Sequence, residues 1–275
     1  MQYLEFYQPH YFILENVRNF AMYKKSLILK LCLLTLLKLG YQFTFGILQA
    51  GHHGMAQSRR RCFLLASAPS YNLPLFPEPR TAFDSNLLKV IINKREYVNN
   101  CTWKNCAPYR SITVKDVIGD LPQLQNGDQK QNQTMKYDKD PERHYQKKMR
   151  KNSNQLVDHI CKKMNNFDIK RISLVPKKPG ADWRDLPNVE ITLTNSEILH
   201  KLEYTYQNKR NGQRGVCECV VNSSKTECKM DKQKSTTIPW FLVHTADRNN
   251  HFSGCYGRLS WNGNFQTIIT DPGMY

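Results

Sequence analysis

Acidic residues are scarce in this 275-residue chain: 23 Asp and Glu stand against 40 Lys and Arg, a formal net charge of +17. That imbalance says nothing about fold, but it argues for a polyanionic partner, with nucleic acid the first candidate. Long apolar runs are missing too. The most apolar segment, Leu27 to Leu39, has thirteen residues and carries Lys30 and Lys38, so it is too short and too charged to span a bilayer. No secretory leader, internal repeat or Cys-x-x-Cys pair is evident. The nine cysteines are an odd number in a chain too large to need disulfides, so the thiols are expected to be reduced or bound to metal. With 40% hydrophobic residues the chain can bury one good core or two modest ones, and two domains are the default.

What is present centres on Phe12-Ile13-Leu14-Glu15-Asn16-Val17-Arg18-Asn19-Phe20, an apolar run ending on a carboxylate and an amide. It reads as a buried strand that delivers two polar side chains to the end of an open α/β sheet, where ligand crevices form. Glu15 and Asn16 are therefore site candidates; the alternative is that they satisfy the first amides of the next helix. That helix is expected from about Tyr23 to Leu39, with leucines around most of its circumference and Gly40 as its stop. A strand over 41–48, a turn at Gly51-His52-His53-Gly54 and a strand over 62–67 follow. Feeding the last strand is Gln57-Ser58-Arg59-Arg60-Arg61. Arg59 and Arg61 alternate onto one face and Arg60 points away; the triplet is either a guanidinium pair aimed at a ligand or a solvated basic patch.

After a proline-containing linker at 69–79 the composition shifts. Thr113 begins a short helix that closes near Pro122. From Lys130 to Lys178 there are 14 Lys and Arg against 5 Asp and Glu, a local excess of nine and more than half of the net charge. Gln129 to Asn154 reads as a solvated, partly disordered insertion. The remainder looks β-rich, with Ile191, Leu193, Leu202, Tyr204 and Tyr206 as strand residues and a hairpin over 259–270 around Asn262-Gly263. Within it, Cys217, Cys219, Cys228 and His244 offer the donor set of a closed tetrahedral zinc site, with His251 as an alternative fourth ligand. Free thiols are the other reading.

The ordered pair Glu15-Asn16-Val17 and Gln57-x-Arg59-x-Arg61 resembles the DNA (cytosine-5) methyltransferases. The longer wording, Glu-Asn-Val-Arg-Asn-Phe at 15–20, Leu-Gln-Ala-Gly at 48–51, Leu-Phe-Pro-Glu-Pro at 75–79 and Asp-Trp-Arg-Asp-Leu-Pro-Asn at 182–188, is similar to the maintenance-type enzymes that act on hemimethylated CpG. The resemblance implies the second half of an AdoMet-dependent, Rossmann-like methyltransferase sheet over 1–80. A β-rich, zinc-bearing target recognition domain would then occupy 81–275. It also implies a flipped cytosine, since a stacked base presents no ring face to a catalytic group. In the family a cysteine thiolate attacks ring carbon 6, and the neighbouring carbon then takes a methyl group from S-adenosyl-L-methionine. Glu15 would hydrogen-bond the ring nitrogen and exocyclic amine, Asn16 would position the strand end, and Arg59 and Arg61 would meet the base carbonyl and a phosphate. Gln57 would join them at the DNA, and Zn2+ would be structural. Phe241, Leu242, Phe252, Cys255 and Met274 match the family's shallow pocket for a parental methyl group, with Phe241, Phe252 and Cys255 departing from its usual residues. Ordinary core positions are the alternative.

Three family elements have no match: the Gly-rich AdoMet turn, the Pro-Cys-Gln nucleophile loop before Glu15, and the Asn-Ala-Val-Pro-Pro element. Cys32, in an apolar helix, and Cys62, inside a strand, are expected to be inert. The chain thus reads as an internal fragment that transfers no methyl group alone, with double-stranded DNA as its partner, no membrane association and a nuclear location. A catalytically dead zinc-containing DNA-binding module is the alternative, and a tRNA cytosine-5 enzyme a further one.

Overall fold

The computed structural model describes residues 1–83, 89–92, 95–98, 107–127, 133–205, 214–221, 233, 235–245 and 255–267. It divides into two compact units, one of residues 1–113 with 264–268 and one of 114–263 with 269–275. The division falls well beyond the proline-containing linker, whose residues belong to the first unit.

The first unit begins with α1 (Gln2–Tyr7), β1 (Tyr11–Val17), α2 (Arg18–Lys38), β2 (Gln42–Gln49), a 3-10 turn at Ala50–His53 and β3 (Arg60–Ser67). Strict alternation in β1 sends Phe12, Leu14 and Asn16 to one face and Tyr11, Ile13, Glu15 and Val17 to the other. β3 lies between β1 and β2 and is antiparallel to both, with Cys62 opposite Asn16 on one side and Ile47 on the other. β1 and β2 are thereby parallel, and α2 is the crossover that parallel strands require. Leu29, Leu33 and Leu36 of α2 recur at helical spacing, are fully buried, and pack with Phe45, Ile47, Cys62, Leu64 and Ala66 of the sheet. Leu27, Leu31 and Leu37, on the rest of the circumference, stay 45–52% exposed. Only one stripe of the helix is core.

The helix is not continuous. Tyr23 is extended, and Lys24, Lys25 and Ser26 take positive φ of 44°, 57° and 66°, so the apolar helix starts after Ser26. Gly40, at φ 77°, ends it, and the amide of Tyr41 returns to the carbonyl of Leu36 at 2.9 Å. At the 3-10 turn, a Cβ on Gly51 would stand 2.2 Å from the Phe83 ring, so only glycine admits this approach. β4 (Lys89–Ile92) and β5 (Arg95–Val98) form a separate antiparallel pair.

The second unit holds α3 (Val114–Ile118), β6 (Met135–Lys136), α4 (His144–Arg150), β7 (Gln155–Leu156), α5 (Asn166–Leu174) and a 3-10 turn at Trp183–Asp185. After these come β8 (Ile191–Thr192), β9 (Ile198–Leu199), α6 (Glu218–Val221) and α7 (Trp240–Thr245). Its core gathers Val175, Trp183, Leu186, Leu202, Val216, Ile238, Leu242, Val243 and Cys255, with Trp183 fully buried. Arg171 ties α5 to this core: its Nε and Nη2 donate to the Thr236 carbonyl and its Nη1 to Asp168, which also accepts from the Tyr256 hydroxyl at 2.7 Å.

Three readings of this region need correction. Among the described residues the strands of the second unit are two-residue pairs, β6 with β7 and β8 with β9, so its order comes from short helices and side-chain networks more than from sheet. Leu193, Leu202 and Tyr204 lie outside strands, and Tyr206 outside the described residues. Residues 259–267 form no hairpin: Ser260 to Gly263 is a turn closed by a 3.0 Å backbone bond, and Phe265 bridges Gln57 instead. Finally, residues 133–154, expected as solvated chain, contain α4 and the buried ion pair of Arg150 with Asp120.

Candidate functional site

Two clusters correspond to the expected site residues, one in each unit. In the first, the register places Val17 opposite Arg61 and Glu15 opposite Phe63, so Glu15 and Arg61 are diagonal neighbours on one face. Arg61 Nε meets Glu15 Oε1 at 3.0 Å, with the carboxylate side chain 48% exposed. The neighbours on that face, Tyr11, Ile13 and Val17, are also exposed, at 48–65%. Glu15 is therefore a carboxylate presented on an open apolar face and held by a guanidinium that leaves part of it accessible. Arg61 Nη1 also donates to the carbonyl of Arg60, which fixes the fork.

Asn16 is on the opposite face and acts on the backbone: its Oδ1 accepts from the Val17 amide at 2.8 Å, just where strand becomes helix. This is a contact to the next residue at the strand end, and α2 has no side-chain cap. Arg59 is joined to β2 through its own amide, which donates to Gln49 Oε1 at 2.8 Å. The structure does not bring the Arg59 side chain to Glu15 among its ion pairs; Arg61 alone of the triplet is there. Gln57 donates through Nε2 to the Gln266 carbonyl and bridges Phe265. Sequence reasoning missed that Gln57 anchors this distant segment, a contact that no local pattern signals.

Cys62 is 2% exposed within the core, and burial pushes its thiol up to about 11; burial raises Cys32 as well. Burial disfavours the thiolate form of both.

In the second unit, ligand atoms of Cys217, Cys219 and His244 all lie within 4.8 Å of one another. The two sulfurs are 3.4 Å apart, too far for a disulfide and suited to sharing an ion. Cys217 is held at the start of α6 by its amide, which donates to the Val243 carbonyl at 2.8 Å, and α7 brings His244 alongside. With its proton on Nδ1, His244 donates to the Trp240 carbonyl at 2.7 Å, which leaves Nε2 as the coordinating nitrogen. The Trp240 ring stacks on the imidazole with centroids 4.0 Å apart. Two thiols and an oriented imidazole fit zinc. Cys228 and His251 lie outside the described residues.

The expected methyl pocket is only partly a surface. Leu242 and Cys255 are 1% and 0% exposed in the core, and burial pushes the Cys255 thiol up to about 12. Phe241 is half-buried beside them, while Phe252 and Met274 lie outside the described residues. Leu242 and Cys255 are thus core positions, in the same core as Cys217, the alternative that the sequence left open.

Residues 1–249 match the family model described as C-5 cytosine-specific DNA methylase. Among curated proteins, the chain is 46% identical over 282 residues to DNA (cytosine-5)-methyltransferase PliMCI of Paracentrotus lividus and 44% identical over 283 residues to DNA (cytosine-5)-methyltransferase 1 of Mus musculus. It is 39% identical over 273 residues to DNA (cytosine-5)-methyltransferase 1A of Oryza sativa subsp. japonica. Each alignment takes in 99% of this chain but only 15–17% of the relative, so the chain spans about a sixth of their length. The match over residues 1–249 establishes that the chain, with its Glu15–Arg61 pair and thiol–imidazole cluster, belongs to the C-5 cytosine-specific DNA methylase family.

Proposed function

We propose that this chain is the base-holding and DNA-reading part of a DNA (cytosine-5) methyltransferase acting on CpG in duplex DNA, with hemimethylated sites as its preferred form. The observation that carries the reading is the 3.0 Å pair of Glu15 and Arg61 on the open face of β1 and β3. A carboxylate fixed in this way can accept from the exocyclic amine of an extruded cytosine, and a guanidinium beside it can donate to the base carbonyl. Asn16 sets the strand end, while Arg59 and Gln57 are assigned to the neighbouring backbone. S-adenosyl-L-methionine would supply the methyl group in the larger enzyme; this chain has no Gly-rich turn for it.

Residues 1–80 are assigned to the catalytic subdomain and 81–275 to target recognition. Zn2+ held by Cys217, Cys219 and His244, with Cys228 as the fourth ligand, would brace α7, which carries Phe241. Phe241, Phe252 and Met274 would border the parental methyl group. One methyl in an apolar pocket contributes only about 1 kcal/mol, so this contact alone supports a modest preference for hemimethylated sites. Such a chain acts in the nucleus.

The test is a duplex carrying 2-aminopurine at the CpG cytosine position, whose fluorescence rises when the base unstacks. The purified chain is expected to raise the signal, and Arg61→Ala to reduce that rise with the protein still folded. A chain that binds the duplex without any rise would sink the base-holding role. Methyl transfer from labelled S-adenosyl-L-methionine by the chain alone would overturn the division of labour proposed here.

A further inference from the structure

We infer that α4 is a clamp for the DNA phosphate backbone, separate from the residues that read the base; the inference rests on the DNA-binding reading above. Its seven residues form a helix with two unlike faces. The inward face is polar and fully anchored. Gln146 and Arg150, one turn apart and 4% and 7% exposed, donate to the Lys115 carbonyl and to Asp120, the latter at 2.8 Å. Arg150 also donates to the Lys139 carbonyl and lies 3.7 Å over the Tyr137 ring.

The outward side carries most of the local basic residues, beside the exposed Met149. His144, Lys147 and Lys148 stand at i, i+3 and i+4 on the helix, Lys151 follows as its left-handed C-cap, and all four are exposed. Among the described residues none of the four is in an ion pair; the neighbouring pairs are made by Arg143 with Asp116 and Arg150 with Asp120. The acids of the stretch, Asp138, Asp140 and Glu142, all precede the helix.

A lysine in the last turn is ordinarily explained by the helix dipole. That does not account for three lysines within five residues, whose mutual repulsion is unfavourable. Here the helix is held from beneath by a buried ion pair, and the repulsion on top is left for a ligand to relieve. Lys147 and Lys151 are four residues apart, about 6 Å of helical rise, and one strand of duplex DNA carries a phosphate about every 3.4 Å along its axis, so the three lysines match three successive phosphates. Lysine is a point charge suited to backbone contact without base selection.

The experiment is binding of the full chain to CpG and non-CpG duplexes between 50 and 200 mM salt, for the native protein and for K147Q/K148Q/K151Q. The triple variant is expected to lower the slope of log K against log salt by about 2.7, so that the native chain loses roughly 40-fold more affinity across that range. The ratio of CpG to non-CpG affinity should not move, and the matching Lys→Arg triple variant should restore the slope. An unchanged slope in a variant with native circular dichroism overturns the clamp even if CpG preference persists. A lowered slope on a chain that shows no CpG preference upholds the clamp and removes the base-reading role instead. Should the slope fall only for single-stranded RNA, the DNA assignment is overturned.

Discussion

Glu15 with Arg61 and Asp120 with Arg150 are the same ion pair in opposite surroundings. The first has side chains 48% and 20% exposed, the second 4% and 6%. Solvent screens the first, so Glu15→Gln should lower unfolding free energy in urea by less than about 1 kcal/mol. Asp120→Asn leaves a buried guanidinium without its charge partner and should cost about 3 to 5 kcal/mol. Equal costs would make Glu15 a structural group and weaken its assignment to the base. The buried thiols give a pH prediction. Cys62 and Cys255 are pushed from 9.0 up to about 11 and about 12 in the fold. In the unfolded chain they ionise first, so that state binds fewer protons above pH 9. Their contribution is therefore complete below about pH 9 and is lost as the pH climbs toward 11 and 12, at about 1.4 kcal/mol per pH unit for each thiol. Urea titrations at pH 8, 9 and 10 should show the midpoint falling only above pH 9.

At the level of elements, α2 shows what an apolar helix pattern can and cannot say. Leu33 is fully buried and Leu37 is 51% exposed, although both belong to the same leucine-rich run. Leu33→Ala should cost about 2 to 5 kcal/mol in thermal or urea unfolding. Leu37→Ala should stay within about 0.5 kcal/mol. The strands β1, β2 and β3 and the stop at Gly40 were legible because alternation and a left-handed glycine are local signals. The break at Lys24 to Ser26 was not, since none of those residues is one that routinely takes positive φ. α4 was illegible for a different reason. Its buried face is Gln146 and Arg150, so no hydrophobic period exists to be seen, and its order depends on Asp120, thirty residues earlier. Cys217, Cys219 and His244 could be read from residue type alone, whereas the burial of Leu242 and Cys255 required the packing around Trp183.

For the whole molecule, the thiol–imidazole cluster and the sheet each bring together residues far apart in the chain. The purified protein is expected to carry one zinc per chain by elemental analysis, and Cys217→Ser to carry less than half of that. Chelation should shift the fluorescence of Trp240, whose ring lies on His244, and lower the unfolding temperature. Metal-free protein with unchanged fluorescence after chelator treatment would favour plain thiols. The antiparallel β1–β3 register carries a consequence of another kind, for inheritance. Glu15 reaches Arg61 because both sit at the same parity along their strands, and a single residue gained or lost inside either would turn one of them toward α2. Loop length is under no such rule, since inserting residues between Gln49 and Arg60 leaves both parities intact. Alignments to the relatives run to 282 and 283 positions against 275 residues here, so lengths do drift among them. Within 11–17 and 60–67, by contrast, lineages should differ by substitution while the count of residues is inherited unchanged.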